Sequence, residues 1–344
     1  MDQDKKPLLG LTLAELQALV ASYKMPAFTA KQIAQWLYQK RVQTIDEMSN
    51  LSKKHRELLS ESYEVGLVPP VEEAVSVDGT VKYLFRTVND KLVEAVYIPD
   101  NERATLCVSS QMGCKMNCLF CMTGKQGFNG NLTSNEIMNQ IHSIPQNDQL
   151  TNLVFMGMGE PMDNIEELFK ALEILTAPWG YAWSPKRITV STIGLMKHLK
   201  RFLDESNCHL AVSLHSPFPQ ERLSIMPVEK AWPMLDLLTL LRQYDFSKQR
   251  RLSFEYIMFH GFNDTKRHAQ ELAHILKGMD CRVNLIRFHA IPHVDLKSSN
   301  ESAMNYFRDY LNDRGITCTI RSSRGEDIFA ACGMLSTLKG KEMA

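Results

Sequence analysis

The sequence carries no excess charge of either sign, since 39 basic and 39 acidic side chains balance across its 344 residues. That balance excludes a uniformly basic nucleic-acid coat but leaves room for a local basic face. No stretch approaches the roughly 20 apolar residues of a membrane span, so no membrane segment is expected. The opening residues, MDQDKKPLLG, hold two acids and lack the apolar centre of a secretory leader, and a cytoplasmic protein is therefore expected. Solenoid-type repeats and low-complexity tracts are also missing. At 44% hydrophobic and 23% charged residues, the composition is that of an ordinary globular protein. The length suits one large domain with a small satellite.

What is present is unevenly placed. Of eight cysteines, four (107, 114, 118 and 121) fall within fifteen residues, and the others stand at 208, 281, 318 and 332. Where thiols stay reduced, such clustering points to metal ligation or thiol chemistry, not to stapled loops.

Residues 1–68 read as a small helical region, with Leu13, Leu16, Leu19 and Val20, then Ile33, Trp36 and Leu37, at helical spacing. Between Lys24 and Arg56 lie seven Lys or Arg against two acids, with Phe28, Trp36 and Tyr38 interleaved. A solvated face over a small core explains such a run, and so does an RNA-binding accessory domain. Val68-Pro69-Pro70-Val71 reads as a hinge. Residues 69–103 then form a linker and a β-hairpin, with strands at 81–86 and 92–98 around Asn89-Asp90. From about 104 to 344 strand and helix alternate. Apolar runs at 104–109, 152–156, 187–193, 209–214, 252–258, 282–288 and 316–320 predict buried parallel strands. Thr133 with Glu136, and Asp163 with Glu166, look like helix-starting capping pairs; Asn263-Asp264 and Asn300 precede two further helices. The expected class is α/β, a partial (β/α)6-type barrel with functional residues at the carboxyl ends of its strands. Periodicity alone leaves an open sheet possible.

Cys114, Cys118 and Cys121 form a C-x3-C-x2-C loop after the first main strand. Three thiolates on one compact loop can hold an iron–sulfur cluster or zinc. A structural zinc site wants four ligands, commonly as paired C-x2-C units, and only one such unit occurs here.

C-x3-C-x-aromatic-C after the first strand of such a barrel resembles the signature of radical S-adenosylmethionine (SAM) enzymes. Five further segments narrow the likeness: Cys107-Val-Ser-Ser-Gln-Met-Gly-Cys114, Thr123-Gly-Lys-Gln-Gly-Phe128, Phe155-Met-Gly-Met-Gly-Glu-Pro161, Ser213-Leu-His215 and Arg324-Gly-Glu-Asp-Ile-Phe-Ala-Ala-Cys332. In order and from end to end, they resemble the RlmN/Cfr family of RNA adenine methyltransferases.

The resemblance implies that Cys114, Cys118 and Cys121 ligate a [4Fe-4S] cluster that in turn binds S-adenosyl-L-methionine, with two SAM molecules used per turnover. It implies cofactor contacts from Gly159, Glu160, Ser191, Ser213, Leu214, His215 and His289, the last standing where many family members have asparagine. Cys332 matches the methyl-carrying cysteine, Cys107 the cysteine that resolves it through a transient disulfide, and Glu94 the proton acceptor. Taken without the family, Glu94 is a charged residue on a hairpin strand, His215 an ordinary polar residue, and Cys332 a small-residue helix end. Cys208, Cys281 and Cys318 are expected to be core.

The implied activity is methylation of adenine carbon 2 in 23S rRNA and in some tRNAs near the anticodon. The implied partners are those RNAs and an electron donor such as flavodoxin or ferredoxin, with a monomer expected. Lys186, Arg187, Lys197, Lys200 and Arg201 lie in a stretch without acids, which would extend a basic RNA-facing surface. Two readings compete: the sister activity at adenine carbon 8, and an iron–sulfur RNA-binding regulator without turnover, which needs neither Cys332 nor Glu160. A zinc-stabilised RNA chaperone is a third.

Overall fold

A computed structural model of the chain describes residues 5–247 and 250–337. Near its start, the helix Leu13–Ser22 begins at Thr12, whose hydroxyl accepts from the Glu15 amide while the Glu15 carboxylate accepts from Thr12 N–H. This reciprocal cap satisfies donors that a helix start otherwise leaves open, and Leu16, Leu19 and Val20 follow on the buried face. A second helix, Thr29–Ala34, runs into a π turn at Gln35–Gln39 that buries Leu37 and Tyr38, and Lys53–Ser60 is the third. Two short strands, β1 (Lys6–Pro7) and β2 (Tyr63–Glu64), pair in parallel. The region rests on the helix Ser134–His142, where Ser134 Oγ donates to Gly10 O (2.9 Å) and Asn135 Nδ2 to Leu9 O (3.0 Å).

Next come β3 (Glu72–Val75), β4 (Val81–Arg86), β5 (Leu92–Asp100) and β6 (Arg103–Cys107), paired antiparallel. The hairpin expected at 81–98 is thus part of a longer antiparallel extension. Its added strand was hidden because Glu72-Glu73-Ala74-Val75 is a mostly exposed edge with no apolar run to betray it. A small hairpin, β7 (Gln111–Gly113) with β8 (Phe128–Asn131), brackets the cysteine loop outside the main sheet.

Thereafter β9 (Asn152–Phe155), β10 (Ile188–Thr192), β11 (His209–Ser213), β12 (Leu252–Met258), β13 (Arg282–Arg287) and β14 (Thr317–Ile320) run parallel to β6. Each step returns through at least one helix, as a parallel connection requires. The ten-stranded order is β14-β13-β12-β11-β10-β9-β6-β5-β4-β3. Every residue of β12 is buried, which is why it reads as a continuous apolar-rich run. Among the described residues no ladder closes this sheet, since β3 and β14 are its edges. It curls instead, so that β5 and β6 face β13 and the segment directly after β14 across one cavity.

The capping pair at Thr133 and Glu136 forms as expected. The one at Asp163 and Glu166 does not. Asn164 precedes the helix Ile165–Thr176, and Asp163 instead accepts from Gln111 Nε2 and Lys115 Nζ, both at 2.8 Å. A chance local match imitated a cap while the real partners lay far off in sequence. Among the described residues, no helix is long and apolar enough to cross a membrane.

Candidate active site

Where the parallel strands end, two cavities open. The inner one, about 150 Å³, is lined by Cys114, Cys118 and Cys121 together with residues from the ends of β9, β10 and β11. The cysteine loop leaves β7 at Gly113, whose φ is +81° and where a Cβ would lie 1.7 Å from Gly127 O. Only glycine lets the hairpin close there. The loop is further held by Cys114 N–H to Gly127 O (3.0 Å) and Leu119 N–H to Ile225 O (2.9 Å).

Burial pushes the Cys114 thiol up to about 12 and Cys118 well above its ordinary value, and the neighbouring Cys121 adds to both shifts. Ionising these thiols together calls for positive charge among them, and three soft thiolates on one loop suit an iron–sulfur cluster. Among the described residues, no three His, Cys, Asp or Glu side chains form a group that could hold one metal ion. In a four-iron cluster each cysteine meets its own iron, so the donor set fits.

Across from the thiols, Gly159 has φ +100°, and a Cβ there would lie 2.5 Å from Gln111 Cβ. The next residue, Glu160, is buried, with its carboxylate accepting from Thr192 Oγ1 (2.6 Å), Ile193 N–H (2.9 Å) and Met162 N–H (3.1 Å). Loss of water outweighs these donors and lifts the carboxyl to about 7. Ser191 and Ser213 reach the same cavity.

His215 is not the ordinary polar residue its neighbours suggest. Fully enclosed, with φ +59°, it accepts from Ile257 N–H at Nδ1 (3.0 Å) and stacks edge-on against Phe120. Burial, aided by the Arg222 charge, holds it down at about 3, so the ring is neutral and its other nitrogen carries the proton. Leu214, expected at the cofactor, points into the core and offers only backbone, its carbonyl accepting from Arg222 Nε (3.1 Å). Arg222, fully buried and paired with Glu229, also donates to Ile193 O (3.0 Å) and Ser213 O (3.1 Å). It thus ties the ends of β10 and β11 together beneath the cavity. Nothing in the sequence marked it, because a lone arginine reads as surface.

The outer cavity, about 310 Å³, holds Cys107, Cys332 and His289 with Arg103, Arg321 and Arg324. Met156, Ile286, Arg321 and Cys332 line both cavities. Cys107 and Cys332, which the sequence could not place together, therefore share one chamber, and all eight cysteines are free thiols. Burial raises Cys107 to about 12, helped by Cys332. Cys332 keeps open surface toward solvent, yet the protein around it also raises its thiol, against the opposing charge of Arg321. Arg321, directly after β14, was missed, although its strand-end position is where function was expected.

His289 stands in this outer cavity, not among the thiols, with Nδ1 3.1 Å from Glu326. Glu94 lies outside both linings. It is buried, 3.1 Å from Lys82 Nζ, and accepts from Ser336 N–H (2.9 Å), and burial raises its carboxyl. Cys208, Cys281 and Cys318 are core, as expected.

The basic stretch near 186–201 is smaller than its sequence suggests. Arg187 turns inward to the carbonyls of Thr151 (2.6 Å) and Leu150 (2.5 Å), while Lys200 meets Asp204 (2.7 Å) and Arg201 meets Glu166 (2.5 Å) and Glu205 (3.2 Å). Within the N-terminal run, Arg41 likewise pairs with Asp148.

Comparison with known proteins matches this arrangement. The family model of the Radical SAM superfamily covers residues 108–273, and that of the ribosomal RNA large subunit methyltransferase N-terminal domain covers 6–65. The probable dual-specificity RNA methyltransferase RlmN of Parabacteroides distasonis is 64% identical over 336 residues, 98% of each chain. The dual-specificity RNA methyltransferase RlmN of Marinobacter nauticus is 40% identical over 342 residues, 96% of this chain and 93% of that one. A crystal structure of a radical SAM methyltransferase from Sphaerobacter thermophilus superposes with a TM-score of 0.90 at 38% identity, covering 96% of this chain and 98% of the other.

Proposed function

The chain belongs to the RlmN family of radical SAM enzymes, and from that premise we propose that it is an RNA methyltransferase acting on carbon 2 of adenine in 23S rRNA and in tRNA near the anticodon. One observation carries the reading. Cys332 stands on the wall between a three-thiol cavity and a cationic one that also holds Cys107.

In this reading Cys114, Cys118 and Cys121 hold a [4Fe-4S] cluster, and Gly159, Glu160, Ser191, Ser213 and His215 bind SAM beside it. Bound there, the pair would supply reductive cleavage of one SAM molecule and so the radical that removes a hydrogen from the methyl group carried on Cys332, while a second SAM molecule would be the methyl source. Glu160, ionised, receives the methionine ammonium, and its three donors fix its orientation. Neutral His215 offers an Nε2 proton to an acceptor in the inner cavity. The Cys332 thiolate takes the methyl group from the inner side and presents it to the base on the outer side, with Arg321 easing its ionisation. Adenine carbon 2 is no nucleophile, so the methyl is carried by the protein first. Glu94, whose carboxyl burial raises, is the ring-proton acceptor of this reading, although it stands outside both cavity linings. Cys107 then attacks the Cys332 sulfur, breaking its bond to the product carbon as the disulfide forms. His289 borders the base through the outer cavity.

Arg103 lines this cavity together with Arg321 and Arg324, which also meet Glu255 and Asp100, and in this reading they provide the cationic contacts that an unstacked nucleotide needs. Residues 1–68 serve as the RNA-binding accessory domain, supported by the family match over 6–65. We assign the protein to the cytoplasm, as a monomer reduced by flavodoxin or ferredoxin. Nucleoside mass spectrometry, after anaerobic incubation with SAM, reductant and 23S rRNA fragments, tests the assignment. 2-Methyladenosine is the expected product. The 8-methyl isomer overturns the position, and cofactor cleavage without methylated adenine overturns the substrate.

A further inference from the structure

We propose that Thr123 and Gln126 are positioning residues that hold Cys332 at the seam between the two cavities. Both lie in Thr123-Gly-Lys-Gln-Gly-Phe128, a segment that no role above absorbs. The short helix Met122–Lys125 follows directly on Cys121, so whatever it grips is tied mechanically to the cysteine loop.

Residues 331–337 have no helix or strand to place them. Apart from a turn from Met334 N–H to Ala331 O (3.0 Å), their position depends on contacts with other parts of the chain. Met122 N–H donates to Gly333 O (2.8 Å), and buried Thr123 donates its hydroxyl to Leu335 O (2.8 Å). Gln126 Oε1 accepts twice, from Ser336 Oγ and from Thr337 N–H, each at 2.9 Å. Glu94 adds the bond from Ser336 N–H (2.9 Å). Four of these five contacts thus come from Met122, Thr123 and Gln126, and the first reaches the residue next to Cys332.

The chemistry of the grip is specific. Thr123 acts as a donor and Gln126 as an acceptor through its oxygen alone. A serine at 123 keeps the hydroxyl and a valine removes it at similar shape; a glutamate at 126 keeps the acceptor and an alanine removes it. Because lost stability alone would sort these substitutions the same way, the deciding readout is the pairing of Cys107 with Cys332.

The inference rests on the proposed role of Cys332 as methyl carrier, but it is tested without turnover. Holoenzyme is equilibrated anaerobically in glutathione redox buffers, acid-quenched, and the fraction of Cys107–Cys332 disulfide is read by peptide mass spectrometry. Two thiols and one oxidised glutathione give the protein disulfide and two reduced glutathiones. The equilibrium therefore reports the effective concentration of one thiol at the other. Thr123→Val and Gln126→Ala are each expected to lower it by about fivefold, the size of one or two lost hydrogen bonds. Thr123→Ser and Gln126→Glu should stay within about twofold of wild type. The proposal is overturned if both deleting variants match wild type. It also fails if the conservative variants fall as far, or if wild type forms no Cys107–Cys332 disulfide. Should Gln126→Ala fail to fold, the Thr123 pair reads the same quantity. A normal result here with no methyladenosine in the nucleoside assay sinks the proposed function and leaves the tether standing.

Discussion

The cavity behind Cys332 and the one in front of it share a wall but not a chemistry. Behind it, polar groups are few, buried and bound to one another: Glu160 takes three donors, His215 is neutral, and Arg222 spends its hydrogen bonds on strand-end carbonyls. In front, Arg103, Arg321 and Arg324 reach into a chamber about twice as large. A preorganised site and a cationic one meet at a wall shared by Met156, Ile286, Arg321 and Cys332. The difference teaches that orientation is set on one side and charge attraction on the other, so perturbations of the two should leave distinct signatures.

The hardest break is at the shared wall. Cys332→Ala should cut adenine methylation by about a thousandfold or more while reductive cofactor cleavage persists; nucleoside and nucleotide mass spectrometry read the two together. If methylation survives, the two cavities are not joined through this thiol. On the inner side alone, Gly159→Ala forces a Cβ to 2.5 Å from Gln111 at φ +100°. SAM affinity, followed by equilibrium dialysis, should weaken more than about tenfold, with RNA affinity unchanged.

Solution pH sharpens the same contrast. Glu160 sits at about 7, so its ionised fraction, and with it the hold on an ammonium group, climbs as pH rises through that value. SAM affinity at pH 6 should be about tenfold below that at pH 8. Stability of the cofactor-free protein runs the other way. Above the ordinary 4.5 the folded state still holds a proton that the unfolded chain has lost, so Glu160's contribution falls as pH rises toward about 7. A melting series across this window checks the sign.

For the outer side, Arg103→Ala should weaken RNA binding about threefold and flatten its salt dependence by about one counterion, leaving SAM affinity intact. Least of all should happen at Lys200 and Arg201, whose charges are already answered by Asp204, Glu166 and Glu205. Their alanine variants should bind RNA within about twofold of wild type, whereas a larger loss would restore that helix to the RNA surface.

These contrasts also explain what the sequence could and could not reveal. Strands such as β12 were legible because burial on both faces leaves an unbroken apolar-rich run, and the cap at Thr133 because both partners are local. The three thiols were legible because they share one loop. Asp163 was misread because its true partner Gln111 lies 52 residues away, where no spacing rule reaches. Arg222, Arg321 and Glu255 were invisible for a related reason. Single charges read as solvated, and only the fold shows that Arg321 is steadied by Glu255 (3.5 Å), itself held by Asn284 (2.7 Å). Cys107 and Cys332, apart in the chain, were linked by family likeness alone until the curled sheet brought them to one chamber.

That curl has a mechanical consequence. The segment after β14 reaches the antiparallel flank through Arg324 to Asp100 at the end of β5 (3.0 Å) and Gly325 N–H to Asp78 in the turn between β3 and β4 (3.0 Å), not through a strand ladder. A closed barrel can widen only by tearing backbone pairing, whereas this open sheet is joined along one flank by isolated hydrogen bonds. Loss of those contacts would leave every rung of the sheet's own ladder intact.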